Sequence, residues 1–156
     1  MTNQQAPVWK SEFDRLTDGF FRAVSFEAGE FPRYEDIHAL FIENGLLIKN
    51  VGGIPEISNV HQFIEPRQAT VNAGDLTRFH EVELSETTEV FGNVAHRFSA
   101  YAKTVTMKGV PFEARGMIST QFIRTPQGWR MSAMAWDDER PGLQLPERYE
   151  PKRISP

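Results

Sequence analysis

The hydrophobic period of this chain changes once, and that change limits the folds open to it. From Val8 to Phe26 the large apolar residues Trp9, Phe13, Leu16, Phe20 and Val24 recur at steps of four, three, four and four. That spacing is one stripe of an α-helix, and Pro7 is acceptable near its first turn. The opposite face, with Glu12, Asp14, Arg15, Asp18 and Arg22, is polar. Tyr34, Ile37, Leu40 and Phe41 predict a second, short helix stopping near Asn44 and Gly45. A strand over Leu46 to Val51 follows, then a turn at Gly52, Gly53 and Pro55. Ser58 is the expected N-cap of a third helix with Val60, Phe63 and Ile64 on its apolar side, kinked or restarted at Pro66 and closed at Gly74. From Phe79 onward the period is two and turn residues recur: Gly92-Asn93, Lys108-Gly109 and Pro126-Gln127-Gly128. Three helices followed by four antiparallel strands make an α+β domain.

The chain has 156 residues, enough for one core, and its twelve Phe and three Trp supply bulky filling for it. The formal charge is −4 and no Lys/Arg cluster forms a basic stripe, so nucleic acid is a poor partner. Zero Cys excludes disulfides, thiolate metal sites and a cysteine nucleophile. No apolar run approaches the roughly 18 residues of a membrane span, and MTNQQAPVWK lacks a basic region before an apolar stretch. The expectation is a soluble, cytoplasmic protein without membrane association. Residues 1–140 read as the domain. Residues 141–156, with Pro141, Pro146, Pro151 and Pro156 at every fifth position, read as an extended tail.

The Phe-rich first helix, the stretch AGDLTRFHEVEL, the hairpin VFGNVAHRFSAY and the segment RGMISTQFIRTPQGWRMSAMAWDDER resemble the NTF2-like superfamily, in particular its SnoaL-like and DUF4440-type members. The match covers roughly Trp9 to Arg140. It implies a cone of three N-terminal helices packed on a strongly curved antiparallel sheet, a cavity for a small apolar or aromatic, polyketide-like molecule, and a homodimer. It leaves function open, because that fold carries cofactor-free isomerases, cyclases and dehydratases as well as binding modules. Mapped onto the ketosteroid-isomerase pattern, the general-base position is Asn50, the neutral-acid position Ile118 and the helix tyrosine Phe20 or Phe21. No catalytic group of that pattern is present. A scytalone-dehydratase-like pattern, which needs imidazoles, has His80 and His96 to draw on. Asn50, Ile118 and Phe20 stay as ligand-binding candidates.

Strand parity gives a second route to the pocket. With Gly92-Asn93 at the centre of a two-residue turn, Val90 faces Ala95, Leu84 faces Tyr101, Val82 faces Lys103 and His80 faces Val105, and facing residues share a side of the sheet. The side with Val82, Leu84, Val90, Ala95 and Val105 is the expected concave wall, and it also carries His80, Ser99, Tyr101 and Lys103. On this reading His80 is a candidate general base and Tyr101 a candidate hydrogen-bond donor, with Ser99 and Lys103 as ligand-binding residues. The alternatives are a structural strand histidine, a tyrosine with its ring in the core, and a lysine turned to water. A one-residue slip, for instance at a bulge near Thr87-Thr88, puts Glu81 and Glu83 inside in place of His80. Otherwise Glu81, Glu83 and Glu89 form a solvated strip.

Asp137 and Asp138 are adjacent on a strand and point to opposite faces. One can reach the pocket mouth, for which Asp137 is the candidate, while the other pairs with Arg140. His38 and His61 have no second ligand at metal-binding spacing, so neither a metal nor a cofactor is expected. Phe98, Met117, Ile123, Met134 and Trp136 fall on the parity opposite to the pocket, an apolar convex face that a homodimer would bury unless the tail folds back over it.

Overall fold

The computed structural model describes residues 8–151. Pro7 and Pro156 of the sequence reading lie outside that range. The helix α1, Val8–Val24, buries Phe13, Leu16, Phe20 and Val24 from the expected stripe, and Phe13 packs its ring 4.6 Å from Phe122 and 4.9 Å from Trp129. A 3-10 helix follows over Tyr34–Leu40. The chain then enters strand β1, Phe41–Lys49, so Asn44 and Gly45 lie inside a strand where a helix stop was expected. The ring of Phe41 occupies the space a side chain at position 45 would need, with a Cβ there only 2.7 Å from it. Gly45 therefore serves a close approach, not a left-handed turn. Strand β2, Glu56–Ser58, ends at Ser58, which places the cap of helix α2, Val60–Asn72, one residue later at Asn59. Asn59 Oδ1 accepts from the Gln62 amide at 2.8 Å and Gln62 Oε1 accepts from the Asn59 amide at 2.9 Å. This reciprocal cap holds the first turn, and α2 runs through Pro66 without interruption to close at Gly74, φ +78°.

Four long strands follow: β3, Leu76–Phe91; β4, Val94–Met107; β5, Val110–Thr125; and β6, Gly128–Asp138. The turns fall where the sequence put them. The six strands form one sheet in the order β2-β1-β6-β5-β4-β3, antiparallel throughout except that β1 runs parallel to β6. The sheet is therefore mixed, not purely antiparallel as expected.

Two bulges decide which side chains face the helices. On β3 the pairing Val90↔Ala95 to Ser85↔Ala100 shifts by one residue at Leu84, after which Glu83 faces Tyr101, Glu81 faces Lys103 and His80 faces Thr104. On β6 the register shifts between Met131↔Phe122 and Ala133↔Gln121. Trp129, Met131, Met134 and Trp136, which sequence parity divides between two faces, consequently all join the main core or pack against it. Such bulges bend a strand and add local twist, and a sheet that curls around helices needs both. The convex face accordingly lacks Met134 and Trp136. Part of what remains is covered by the tail: Leu145 and Tyr149 pack with Leu84, Ala100 and Met117, and the Ser85 hydroxyl donates to the Tyr149 carbonyl at 2.6 Å. Among the described residues no helix is long and apolar enough to cross a membrane.

Candidate functional site

Between the sheet and the helices lies a cavity of about 380 Å³. Its apolar wall includes Phe20 of α1, Phe63 of α2, Phe79 of β3, Ile118 of β5 and Trp136 of β6. Phe63 stands edge-on to Trp136 at 6.1 Å. The size is at the small end for ligand pockets, and the aromatic lining suits a flat molecule.

The titratable groups in this wall are Glu81, Lys103, Asp138, Arg67 and Tyr34, with Lys49 and Glu56 more exposed, and Thr70 also lines it. Lys103 Nζ lies 3.1 Å from Asp138 Oδ1, both side chains largely withdrawn from solvent. Asp138 Oδ1 also accepts the Tyr101 hydroxyl at 2.5 Å, and the same hydroxyl is 3.0 Å from the Asp137 carbonyl. Tyr101 reaches β6 from β4 only because Gly116 separates them. Tyr101 pairs with Gly116 and Gly116 with Asp138, and a Cβ on Gly116 would sit 2.2 Å from the Asp137 carbonyl oxygen. Burial, reinforced by the bond to Asp138, drives the Tyr101 phenol well above its usual range, so it stays a neutral donor.

Glu81 is different. Its carboxyl has no hydrogen-bond partner among the described residues, although its backbone is tied to Ser25 on both sides. Burial pushes it up to about 7, with Lys103 and Arg67 pulling down and Asp138 adding to the rise. A carboxyl poised near neutrality on a cavity wall can take or give a proton at physiological pH.

Phe20, Ile118 and Lys103 line the cavity as expected. Tyr101, expected in the cavity wall, is not among the lining residues: its ring is fully buried, and its hydroxyl bonds Asp138, which does line the cavity. Ser99 is buried but turned to Glu83, to which it donates at 2.6 Å. His80 is corrected: the Leu84 bulge turns it away from the cavity, its side chain half exposed and 4.0 Å from Glu27. Val82, expected in the same wall, is turned outward with it and is 40 % exposed. His96 is likewise exposed and pairs with Glu89 at 2.9 Å. Asp137 is corrected too, since it pairs with Arg140 at 2.8 Å while its neighbour Asp138 enters the site. Asn50 is exposed at the strand end, its amide donating to the Trp136 carbonyl, and it lies outside the lining. Two contributors, Arg67 and Tyr34, were absent from the sequence reading of the site. Arg67 occupies the place one turn after Phe63 on the apolar stripe of α2, and a cation at such a place is the signal that would have found it. Among the described residues no group of three His, Cys, Asp or Glu is placed to hold a metal ion.

Neither a family model nor a curated protein sequence matches this chain. Solved structures do. An NTF2-like superfamily protein from Salmonella enterica serovar Typhimurium superposes with a TM-score of 0.69 at 14 % identity, covering 88 % of this chain and 94 % of that one. This chain has the NTF2-like fold. A Novosphingobium aromaticivorans protein provisionally named an aromatic ring hydroxylase superposes at 0.71 with 16 % identity, over 88 % of this chain and 94 % of that one. A second protein from that organism, provisionally named a scytalone dehydratase, superposes at 0.67 with 8 % identity over 85 % of each chain. Identities this low speak for the architecture alone. In this NTF2-like fold the charged lining comes from separate elements, Arg67 from α2, Glu81 from β3 and Lys103 from β4.

Proposed function

We propose that this NTF2-like domain binds a small, flat, largely apolar molecule and moves a proton on it without a cofactor, as an isomerase, cyclase or dehydratase of SnoaL-like type. The observation that carries the reading is the unpartnered Glu81 carboxyl on the cavity wall beside the fixed Lys103–Asp138 pair. Glu81 is the base. Lys103, held by Asp138 and through it by Tyr101, stabilises negative charge that develops on the ligand when the proton leaves. Asp138 serves as the acceptor that holds both donors in place. The aromatic-compound names of the two Novosphingobium neighbours are in keeping with such a ligand. A pocket that binds without reacting is the second reading, favoured because, among the described residues, no second carboxyl or imidazole without an ion-pair partner lines the withdrawn part of the cavity.

The base is tested with nitrobenzisoxazole, a flat aromatic probe whose ring opens when a base removes its C–H proton: the N–O bond breaks and a cyanophenolate leaves. Turnover above buffer is expected, rising with pH through about 7 as Glu81 ionises. It should be lost in Glu81→Gln and kept in His80→Ala. Turnover that persists in Glu81→Gln overturns the assignment, and none above buffer favours binding alone.

Pairing of two copies through the convex face, where Val82 and Val94 are exposed and Phe98 is only partly covered by Tyr149, is the proposed assembly. A monomeric mass by light scattering at micromolar concentration overturns it.

A further inference from the structure

The cavity holds hydrogen-bond donors that the protein itself does not satisfy. Arg67 lays its guanidinium over Phe63, the central carbon 3.7 Å from the ring centroid, and its Nη1 donates to the Phe63 carbonyl at 3.0 Å. That uses one of five N–H groups. Among the described residues no carboxylate lies within ion-pairing distance of Arg67; Glu56 and Glu81 act on it only through space. Tyr34, 3 % exposed, lines the same cavity, and its hydroxyl has no hydrogen-bond partner among the described residues. The other withdrawn cations are matched: Arg97 by Glu83 and Asp14, and Lys103 by Asp138. A stacked, planar guanidinium and a phenol both aimed into an aromatic cavity lack one thing, a negatively charged acceptor.

We propose that Arg67 and Tyr34 form a carboxylate-binding subsite, and that the natural ligand is a small aromatic or alicyclic carboxylic acid. The carboxylate takes the Arg67 fork and the Tyr34 hydroxyl, and the ring lies against Phe20, Phe63 and Trp136. That placement leaves the far edge of the ring to Glu81 and Lys103. The planar fork favours a carboxylate, which can accept two parallel N–H bonds. One unmatched cation in the withdrawn part of the cavity also corresponds to one negative charge, because Lys103 is already neutralised. Burial weakens the hold of Arg67 on its own charge, so an anion that enters restores what the protein leaves missing. The subsite rests on the proposed function only for the chemistry at its Glu81 end; the anion contact stands without it.

The test is calorimetric titration of the whole chain at neutral pH with benzoate and naphthoate, each against its neutral amide. The acids should bind roughly 10-fold or more tighter than the amides, as a charge-assisted contact requires. Arg67→Gln should remove that preference while changing amide affinity by less than about 3-fold, and Tyr34→Phe should weaken the acids by about 3- to 10-fold. Acids and amides of equal affinity overturn the subsite while leaving the cavity a small-molecule site. No binding of either acid by about 10 mM overturns it as well. Probe turnover that depends on Glu81 then decides separately whether the proposed chemistry survives.

Discussion

Two ionic clusters occupy the concave side of the β3-β4 hairpin, one nearer the Gly92-Asn93 turn and one farther from it, and both are built from carboxylates and cations. On the turn side, Arg97 is 3 % exposed and all three of its nitrogens donate to carboxylates: Nη2 to Glu83 at 2.6 Å, Nε to the other Glu83 oxygen at 3.1 Å and Nη1 to Asp14 of α1 at 2.8 Å. Ser99 completes Glu83, while Lys10 bridges Asp14 and Glu86. Burial opposes ionisation of Asp14 and Glu86. Hydrogen bonds from Arg97 and Lys10 to Asp14, and from Thr88 to Glu86 with the charge of Arg97, outweigh it and hold both carboxyls below their usual values. On the open side, Glu81, Arg67 and Tyr34 face space. A closed network ties α1 to the sheet, whereas an open one keeps its donors and its proton available. Charge and burial alone do not separate structure from function here; satisfaction does.

The comparison is broken most severely by Arg97→Gln. Removing the centre of the closed cluster leaves Glu83 without its cation and Asp14 with Lys10 alone, and a loss of about 3 to 5 kcal/mol in urea unfolding is expected. A loss under about 1 kcal/mol would show that the network is dispensable. Glu81→Gln sharpens the other side. Because the folded protein holds the Glu81 proton more tightly than the unfolded chain does, its stabilisation is complete below the unfolded value of 4.5 and fades as pH rises through about 7. Wild type relative to Glu81→Gln should therefore lose up to roughly 3 kcal/mol of stability between pH 5 and pH 8. A pH-independent difference would contradict the raised carboxyl. Arg67→Gln should have the smallest effect, within about 1 kcal/mol of wild type, since it removes a stacked side chain and one backbone contact but orphans no carboxylate. A cost like that of Arg97→Gln would mark Arg67 as structural.

Much of the fold was legible along the chain because local chemistry writes it there. The stripe from Trp9 to Val24, the hairpin turns at Gly92-Asn93 and Lys108-Gly109, and the switch to period two place α1 and the four long strands close to their observed bounds. Gly74 and the Asn59–Gln62 cap lie within a residue or so of the expected ends of α2. The cavity wall was legible in part. Phe20, Lys103 and Ile118 line it, and Glu81 was visible as the outcome of a register slip, yet His80, Asn50 and Asp137 were assigned to a wall they do not line.

What the sequence determined by itself was the order of elements, the turns and the store of aromatic residues, because each depends on backbone preference or on the spacing of neighbours. What only the tertiary structure decided was the side. Strand parity is faithful between bulges and inverts across each one, and neither Leu84 nor Ser132 has a local feature requiring the extra residue; the curvature of a sheet wrapped on helices requires it. Those two residues set whether His80 or Glu81 faces the cavity and bring Met134 and Trp136 inside with Trp129 and Met131. The pairing of Tyr101 with Asp138 across Gly116, and the unmatched donors of Arg67 and Tyr34, follow from that curvature, since it brings distant strands and helices to one wall.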